Sequence, residues 1–407
     1  MYAFKPIIFV YSPLYQQTKK MKIAVASLLD PRSVKTWSGT PAHIIAALEK
    51  KGHEVVSIPL QKPAEPWHYD WLRRIYFKTQ QKWFLSIVEK EVLEDIGRQL
   101  DRAVAKAEPD LVVIMHSDFL AYCTFDVPSI VVHDTTFASL VDYYPEFTNL
   151  TKRSIQAGND MYQRALDKAS AAVFSAGWAS QSAITDYKVD PNKIFTIPFG
   201  ANLQEAPADD DVESWIEKRS VATTCRFLFL GVNWGRKGGP DALRFVKELN
   251  KLGIPSQLVI AGCSPVIDKD SEPYVQQLGF LSKDKPEESR LLESLLQSSQ
   301  ALLVPSVAEC FGCVYCEANA YGLPVLARDT GGIPEIVKDG KNGLLLMQGE
   351  TPEALALRWA KIYSSKDAYQ QMSRNARTEY TTRLNYGVFV EKLEAIAFPL
   401  VKMPVKA

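Results

Sequence analysis

Neither sign of charge prevails in this sequence. With 47 Lys and Arg against 47 Asp and Glu, net charge gives no support to a nucleic-acid partner. No apolar run approaches the ~20 residues that a membrane-spanning helix needs. Six cysteines in 407 residues are too few for a disulfide framework, so a reducing, cytoplasmic setting is expected. Cys310, Cys313 and Cys316 have C-x2-C-x2-C spacing, but the fourth cysteine and the Cys-Pro of a ferredoxin do not follow. They read as small apolar residues at a helix start. No repeat of 20–50 residues is evident. What remains is an ordinary soluble composition, 46% hydrophobic and 23% charged. Its length suggests two domains, or three small ones, at ~100–200 residues each.

Residues 1–20 hold a short apolar stretch, Ile7 to Val10, behind Pro6, with no clear small-residue cleavage site. Met21-Lys22-Ile23-Ala24-Val25 then reads as a protein start followed by a buried strand. Residues 1–20 are therefore expected to be a tail or an over-long start, with a membrane-targeting segment as the alternative.

Short apolar runs alternate with helical patterns along the rest. Strands are expected at Lys22–Ser27, Val55–Ile58, Leu111–Met115, Ser129–Val132, Ala171–Phe174 and Ile194–Ile197, with a helix at Pro41–Lys51 closed by Gly52. The polar stretch Ala206–Asp211 breaks the pattern. A second series follows: Arg226–Leu230, Leu258–Ala261, Val275–Leu278, Ala301–Val304, Pro324–Ala327 and Gly343–Leu346. Such alternation makes parallel sheets covered by helices. Two α/β halves, 21–202 and 203–384, are expected, followed by an amphipathic helix over 385–400. Ligands of such sheets sit beyond the carboxyl ends of the strands, so two facing sheets place a substrate in the cleft between them.

Several strand ends carry candidate chemistry. Glu309-Cys-Phe-Gly-Cys-Val-Tyr-Cys-Glu317 follows a strand and precedes helical Ala318-Asn319-Ala320. Two carboxylates eight apart on an ideal helix lie about 12 Å apart and roughly on one face. That exceeds the ~5–9.5 Å of most glycosidase pairs and suits gripping two ends of a long ligand. Two unrelated surface carboxylates are the alternative. Helix-start amides near Gly312 could bind a phosphate. Gly331-Gly332 allows close approach at another strand end, or is an ordinary turn. Arg236-Lys237, flanked by glycines after Leu230, suits a diphosphate, although G-x4-G-K-[ST] and G-x-G-x-x-G are both missing there. Gly39 precedes a helix start, again a phosphate-friendly device. Of the five histidines, His116 and His133 sit at strand ends. Either could contact a substrate hydroxyl, or make a local hydrogen bond, the reading favoured for His116. Asp209-Asp210-Asp211 contains the Asp-x-Asp that holds a metal in some transferases of another fold, but in the linker it reads as a solvated loop.

The order Gly39, His133, Arg236-Lys237, Glu309-x7-Glu317 and Gly331-Gly332-Ile333-Pro334-Glu335 resembles the GT4-type group of retaining glycosyltransferases, from about residue 21 to 398. The resemblance implies a GT-B fold: α/β, two Rossmann-like domains with parallel sheets facing a central cleft. It implies a hexose moved from a nucleoside-diphosphate sugar to a glycan, lipid or small-molecule acceptor, without metal or other cofactor. Glu309 would contact sugar hydroxyls beside His133. Amides near Phe311, Gly312 and Cys313 would hold sugar and phosphate, and Glu317 the ribose. Lys237 would neutralise the diphosphate, with Gly39 approaching it. The base would lie around Phe280 and Leu281, and the last helix would cross back to the first domain. The sequence departs from the family at Val232-Asn233-Trp234, where an Arg is usual, and Arg236 either replaces that contact or only lines the loop. A nucleotide-sugar epimerase of the same fold, or a non-catalytic sugar- or nucleotide-binding protein, are the competing classes.

Trp67 to Ile87 mixes aromatic and basic residues. Arg74, Lys78 and Lys82 at i, i+4, i+8 make a basic stripe beside Leu72, Tyr76, Trp83 and Ile87. As one helix it could lie on an anionic membrane at the inner face, or pack on its own sheet.

Overall fold

The computed structural model describes residues 20–402. The expected tail, except Lys20, lies outside the described residues. Two six-stranded parallel sheets dominate them. The first contains β1 (Lys22–Leu28), β2 (Glu54–Leu60), β3 (Leu111–Met115), β4 (Ser129–His133), β5 (Ala171–Phe174) and β6 (Ile194–Thr196), ordered β2-β1-β3-β4-β5-β6. The second contains β7 (Cys225–Leu230), β8 (Ser256–Ala261), β9 (Val275–Gly279), β10 (Ala301–Leu303), β11 (Val325–Arg328) and β12 (Gly343–Leu346), ordered β12-β11-β10-β7-β8-β9.

The apolar runs explain this arrangement. Every residue of β3 and β4 is buried, as a strand covered by helices on both faces requires. In β1, Ile23 and Val25 join one core while Ala24 and Ala26 join the core on the opposite face. The order reverses between β1 and β3 in the first sheet, and between β7 and β10 in the second. At such a switch point the outgoing connections diverge to opposite faces and leave a crevice at the carboxyl ends.

The halves meet around aromatic side chains. Phe199 lies 5.2 Å from Phe311, 5.8 Å from Phe389 and 5.5 Å from Trp37, centroid to centroid. The chain passes between halves at Gly200–Asn202 and returns at Leu384–Tyr386. The Ala201 amide donates to the Leu384 carbonyl at 3.0 Å, and the Tyr386 hydroxyl to Asn202 Oδ1 at 2.7 Å. A Cβ on Gly200 would come within 2.6 Å of the Tyr386 nitrogen. The last helix, Tyr386–Lys402, packs against the helix Thr40–Lys50. His53 Nδ1 accepts from the Met21 amide, so its Nε2–H donates to Glu394 at 2.8 Å.

Two local expectations are corrected. Asp209–Asp211 form the first turn of a helix, Asp209–Ser220, rather than a solvated loop. Three carboxylates at a helix start favour the dipole, and Val212 and Ile216 bury its inner face. Trp67–Ile87 is not one helix. The helix His68–Gln80 stops at Gln81, whose φ is +56°. Trp83 instead pairs with residues 149–151: its amide donates to the Asn149 carbonyl and its carbonyl accepts from Thr151, at 3.0 and 2.9 Å. Lys82 therefore leaves the stripe and reaches the Leu150 carbonyl at 3.4 Å.

Candidate functional site

On the first half, the loop after β1 holds three successive left-handed residues: Trp37 at φ +43°, Ser38 at +57° and Gly39 at +88°. Asn202 Nδ2 donates to the Ser38 carbonyl at 2.8 Å and pins the loop. Such strained conformations persist only where the surroundings fix them. The Trp37 ring lies 4.5 Å from that of His116, which follows β3 with φ +94°.

His116 and His133 belong to one hydrogen-bonded chain whose proton positions can be deduced. The Tyr162 hydroxyl donates to the Thr135 carbonyl at 2.6 Å and accepts from Ser117 Oγ at 2.9 Å. Its 2.9 Å contact with His133 Nδ1 must therefore be donated by the imidazole. Burial holds both histidines neutral, His116 down at about 4 and His133 well below the usual histidine value. His133 Nε2 is then an acceptor, filled by His116 Nδ1–H at 2.9 Å. Both His133 nitrogens are thus occupied within the protein. Among the described residues, His116 Nε2 has no partner and remains an acceptor.

Just past β4, burial and the nearby Glu309 charge raise the Asp134 carboxyl to about 7. Stability from a carboxyl with a raised folded-state value is present below its unfolded value, ~3.9, and is lost as pH rises toward the folded one. Asp134→Asn keeps the shape without the charge. It is expected to be more stable than wild type at pH 8, with the gain shrinking toward pH 4. Denaturant midpoints at the two pH values check this; equal differences at both would contradict the burial argument.

On the second half, β7 and β10 deliver their loops to the switch point. Lys237 forms an ion pair with Glu309, whose Oε2 also lies 3.6 Å from Arg236 and 3.3 Å from Ser306 Oγ. Arg236 donates to the Ala308 carbonyl at 2.9 Å and lies over the Tyr144 ring at 5.1 Å. Gly238 has φ +75°, and a Cβ there would lie 2.0 Å from the Pro305 carbonyl oxygen, which fixes the basic loop against the strand β10 end.

Glu309 does not share a helix with Glu317. The helix begins at Cys313, because Gly312 turns at φ +95° where a Cβ would strike the Tyr315 ring at 2.4 Å. The helical spacing expected from the sequence thus applies only beyond that residue. No side chain caps the helix start, and Cys313 Sγ, raised to about 12 by burial, lies 3.8 Å from Thr40 of the first half. Glu317 is held by Lys283 at 2.7 Å, and that ammonium also reaches the Asn202 carbonyl at 3.3 Å. Phe311 is buried in the interface. Gly331 and Gly332 approach protein rather than open space: a Cβ on each would lie about 2 Å from the carbonyl oxygens of Glu309 and Cys310, at 2.1 and 2.0 Å. Past β9, Phe280 is 68% exposed and Leu281 half-buried.

Several participants carried no sequence signal. Tyr143 accepts from the Glu309 amide at 2.9 Å, Tyr144 from the Cys310 amide at 3.2 Å, and Trp178 donates to the Cys310 carbonyl at 3.0 Å. These first-half side chains hold the second-half clamp. Lys283 was the most findable, two residues beyond the expected base-binding loop. Between the halves lies a cavity of about 340 Å³, bordered by His116, Asp134, Thr135 and Cys310. A larger one, about 630 Å³, lies by Asp101, Glu108 and Phe125, at the opposite end of the strands.

Residues 213–379 match the family described as glycosyl transferases group 1. The D-inositol 3-phosphate glycosyltransferase of Corynebacterium diphtheriae is 26% identical over 248 residues, 58% of this chain and 57% of that protein. The chain thus spans a little over half the length of this curated relative. Sucrose-phosphate synthase from Thermosynechococcus elongatus superposes with a TM-score of 0.66 at 16% identity, over 93% of this chain and 100% of that one. Anabaena HepE in complex with UDP-glucose does so with a TM-score of 0.56 at 17% identity, over 94% and 100%. The fold is GT-B, two Rossmann-like domains.

Proposed function

We propose that this chain, whose residues 213–379 match the group 1 glycosyl transferases, moves a hexose from a nucleoside-diphosphate sugar to a hydroxyl acceptor. One observation carries the reading. Lys237 and Glu309, delivered by β7 and β10 to the switch point, already bind each other beside an uncapped helix start. That grouping suits a ligand carrying both a diphosphate and hydroxyls. Arg236, Lys237 and the amides of Gly312 and Cys313 would face the phosphates. Glu309 would take sugar hydroxyls and Glu317 the ribose, with Phe280 and Leu281 near the base.

As the glycosidic bond breaks, negative charge grows on the leaving diphosphate. Fixed cations there lower the barrier without a metal. The acceptor would attack from the same face, and the departing phosphate would take its proton, so that configuration is retained. His133, with both nitrogens occupied, would orient His116 and the pocket wall rather than donate to the sugar.

No helix among the described residues is long and apolar enough to cross a membrane. A peripheral contact is favoured by Trp67, Trp71 and Trp83, 83%, 61% and 55% exposed, near Arg74 and Lys78. Such aromatic and basic groups suit an anionic interface.

A screen of nucleotide sugars, read by nucleoside-diphosphate release, tests the reading. Release stimulated by acceptor pools and undiminished in EDTA is expected. Turnover of sugar nucleotide without acceptor would indicate an epimerase, and tight binding without turnover a binding protein. Loss in EDTA restored by Mn²⁺ would contradict metal independence. Adding anionic vesicles at low and high salt extends the screen: co-flotation lost at high salt is expected, and none at either salt would remove the membrane contact.

A further inference from the structure

We propose that the 340 Å³ cavity beyond β3 and β4 is the acceptor site, and that it takes an uncharged, hydroxyl-bearing head group joined to an apolar portion. The proposal rests on the glycosyl-transfer reading above. Position comes first. His116, Asp134 and Thr135 line the cavity from the first half, and Cys310, the neighbour of Glu309, lines it from the second. A molecule seated there lies between the first half and the sugar clamp.

The polar lining selects hydroxyls over anions. His116 Nε2 is an unfilled acceptor on a neutral ring. Asp118 and Asp134 add two carboxyls, raised by burial to about 6 and about 7. Either protonation state can hydrogen-bond a hydroxyl. Among the described residues, no Lys or Arg lines the cavity. A phosphate would meet two desolvated carboxyls with no cation to offset them, an arrangement that rejects an anionic partner.

Beside His133, Tyr144 and Tyr162, whose polar atoms are engaged within the protein, the remaining lining is apolar: Ile87, Val88, Phe137, Leu140, Phe147 and Met161. The segments carrying Val88 and Phe147 are joined where Trp83 pairs with Asn149 and Thr151. Trp83 is 55% exposed, and its ring lies 4.8 Å from Phe77. The segments that wall the cavity therefore continue into exposed aromatic surface, which suits an acceptor with an apolar chain rather than a free sugar.

The test uses the donor identified by the screen and measures nucleoside-diphosphate release with three probes: octyl β-D-glucoside below its micellar concentration, glucose, and glucose 6-phosphate. Octyl glucoside is expected to exceed glucose in kcat/KM by about tenfold or more, since each buried methylene adds discrimination. Glucose 6-phosphate is expected to give no stimulation. Phe147→Ser should narrow the ratio of octyl glucoside to glucose. Glucose 6-phosphate as the best probe overturns the proposal. So does an equal response to octyl glucoside and glucose, or no response to any of the three while the donor is still slowly hydrolysed. Absence of nucleotide release from every donor under every condition instead sinks the glycosyl-transfer reading itself.

Discussion

Lys237→Ala is expected to lower turnover by about 10²–10³, the usual loss when one well-placed electrostatic stabiliser is removed from a developing charge. The geometry explains why so much rests on one ammonium. Lys237 is 12% exposed by its side chain, so its field is weakly screened. Gly238 and the Pro305 carbonyl fix its loop at the end of β10. Without ligand its charge is shared with Glu309. An arriving diphosphate would compete for that charge and release Glu309 toward the sugar. The substitution would therefore remove the proposed phosphate contact and leave Glu309 with Arg236 at 3.6 Å and Ser306 at 3.3 Å. Glu309→Gln separates the two effects, because it spares the cation. Steady-state rates on the donor found by the screen, with melting curves to confirm folding, provide the measurement. Turnover near wild type in Lys237→Ala would sink the phosphate assignment.

Arg219→Ala is expected to destabilise the protein by about 3–5 kcal/mol, as several buried carbonyls lose their donor and a cavity opens. Arg219 is 2% exposed and, among the described residues, has no carboxylate partner. Its guanidinium donates to the carbonyls of Leu296, Tyr321 and Gly322, at 3.4, 3.1 and 2.8 Å. Leu296 lies in the last turn of the helix Pro286–Ser298, and the other two just follow the helix Cys313–Ala320. One fixed cation therefore satisfies two helix ends whose dipoles are negative there. One of those helices starts beside Glu309, so its anchoring also steadies Gly312 and Cys313. Arg219→Lys should lose less, because an ammonium reaches fewer of the three oxygens. Guanidinium unfolding midpoints decide the matter; an unmoved midpoint in Arg219→Ala would remove the carbonyl-anchoring account.

The central strands were legible because they are apolar runs buried on both faces, so composition alone marks Leu111–Met115 or Ser129–Val132, whereas β2, β6 and β9 at the sheet edges are partly exposed. Glycine-bearing loops at their ends were legible for the same reason. Contacts between distant residues were not. Nothing local in Tyr143-Tyr144 signals that they hold Glu309 and Cys310, and the place of Lys283 beside the expected base-binding loop does not reveal its pairing with Glu317. The helical period of Trp67–Ile87 was present, but pairing of Trp83 with residues 149–151 overrode it. The acidic triplet falls in a polar stretch between the two strand series, which suggests a loop, whereas burial of Val212 and Ile216 sets a helix there. Gly331-Gly332 was marked for close approach, and the group that approaches is the backbone of Glu309 and Cys310.

The two passages of chain between the halves have a mechanical consequence. Gly200–Asn202 and Leu384–Tyr386 do not cross at separate places; they touch, joined by the Ala201–Leu384 and Tyr386–Asn202 hydrogen bonds. Two tethers at one spot act as a single pivot. Swinging one half about it moves points near the pivot little and distant points far, as along a lever. Groups close to the pivot, such as Ser38 and Glu317 through Asn202, keep their spacing, whereas the far edge of the cleft sweeps the widest arc.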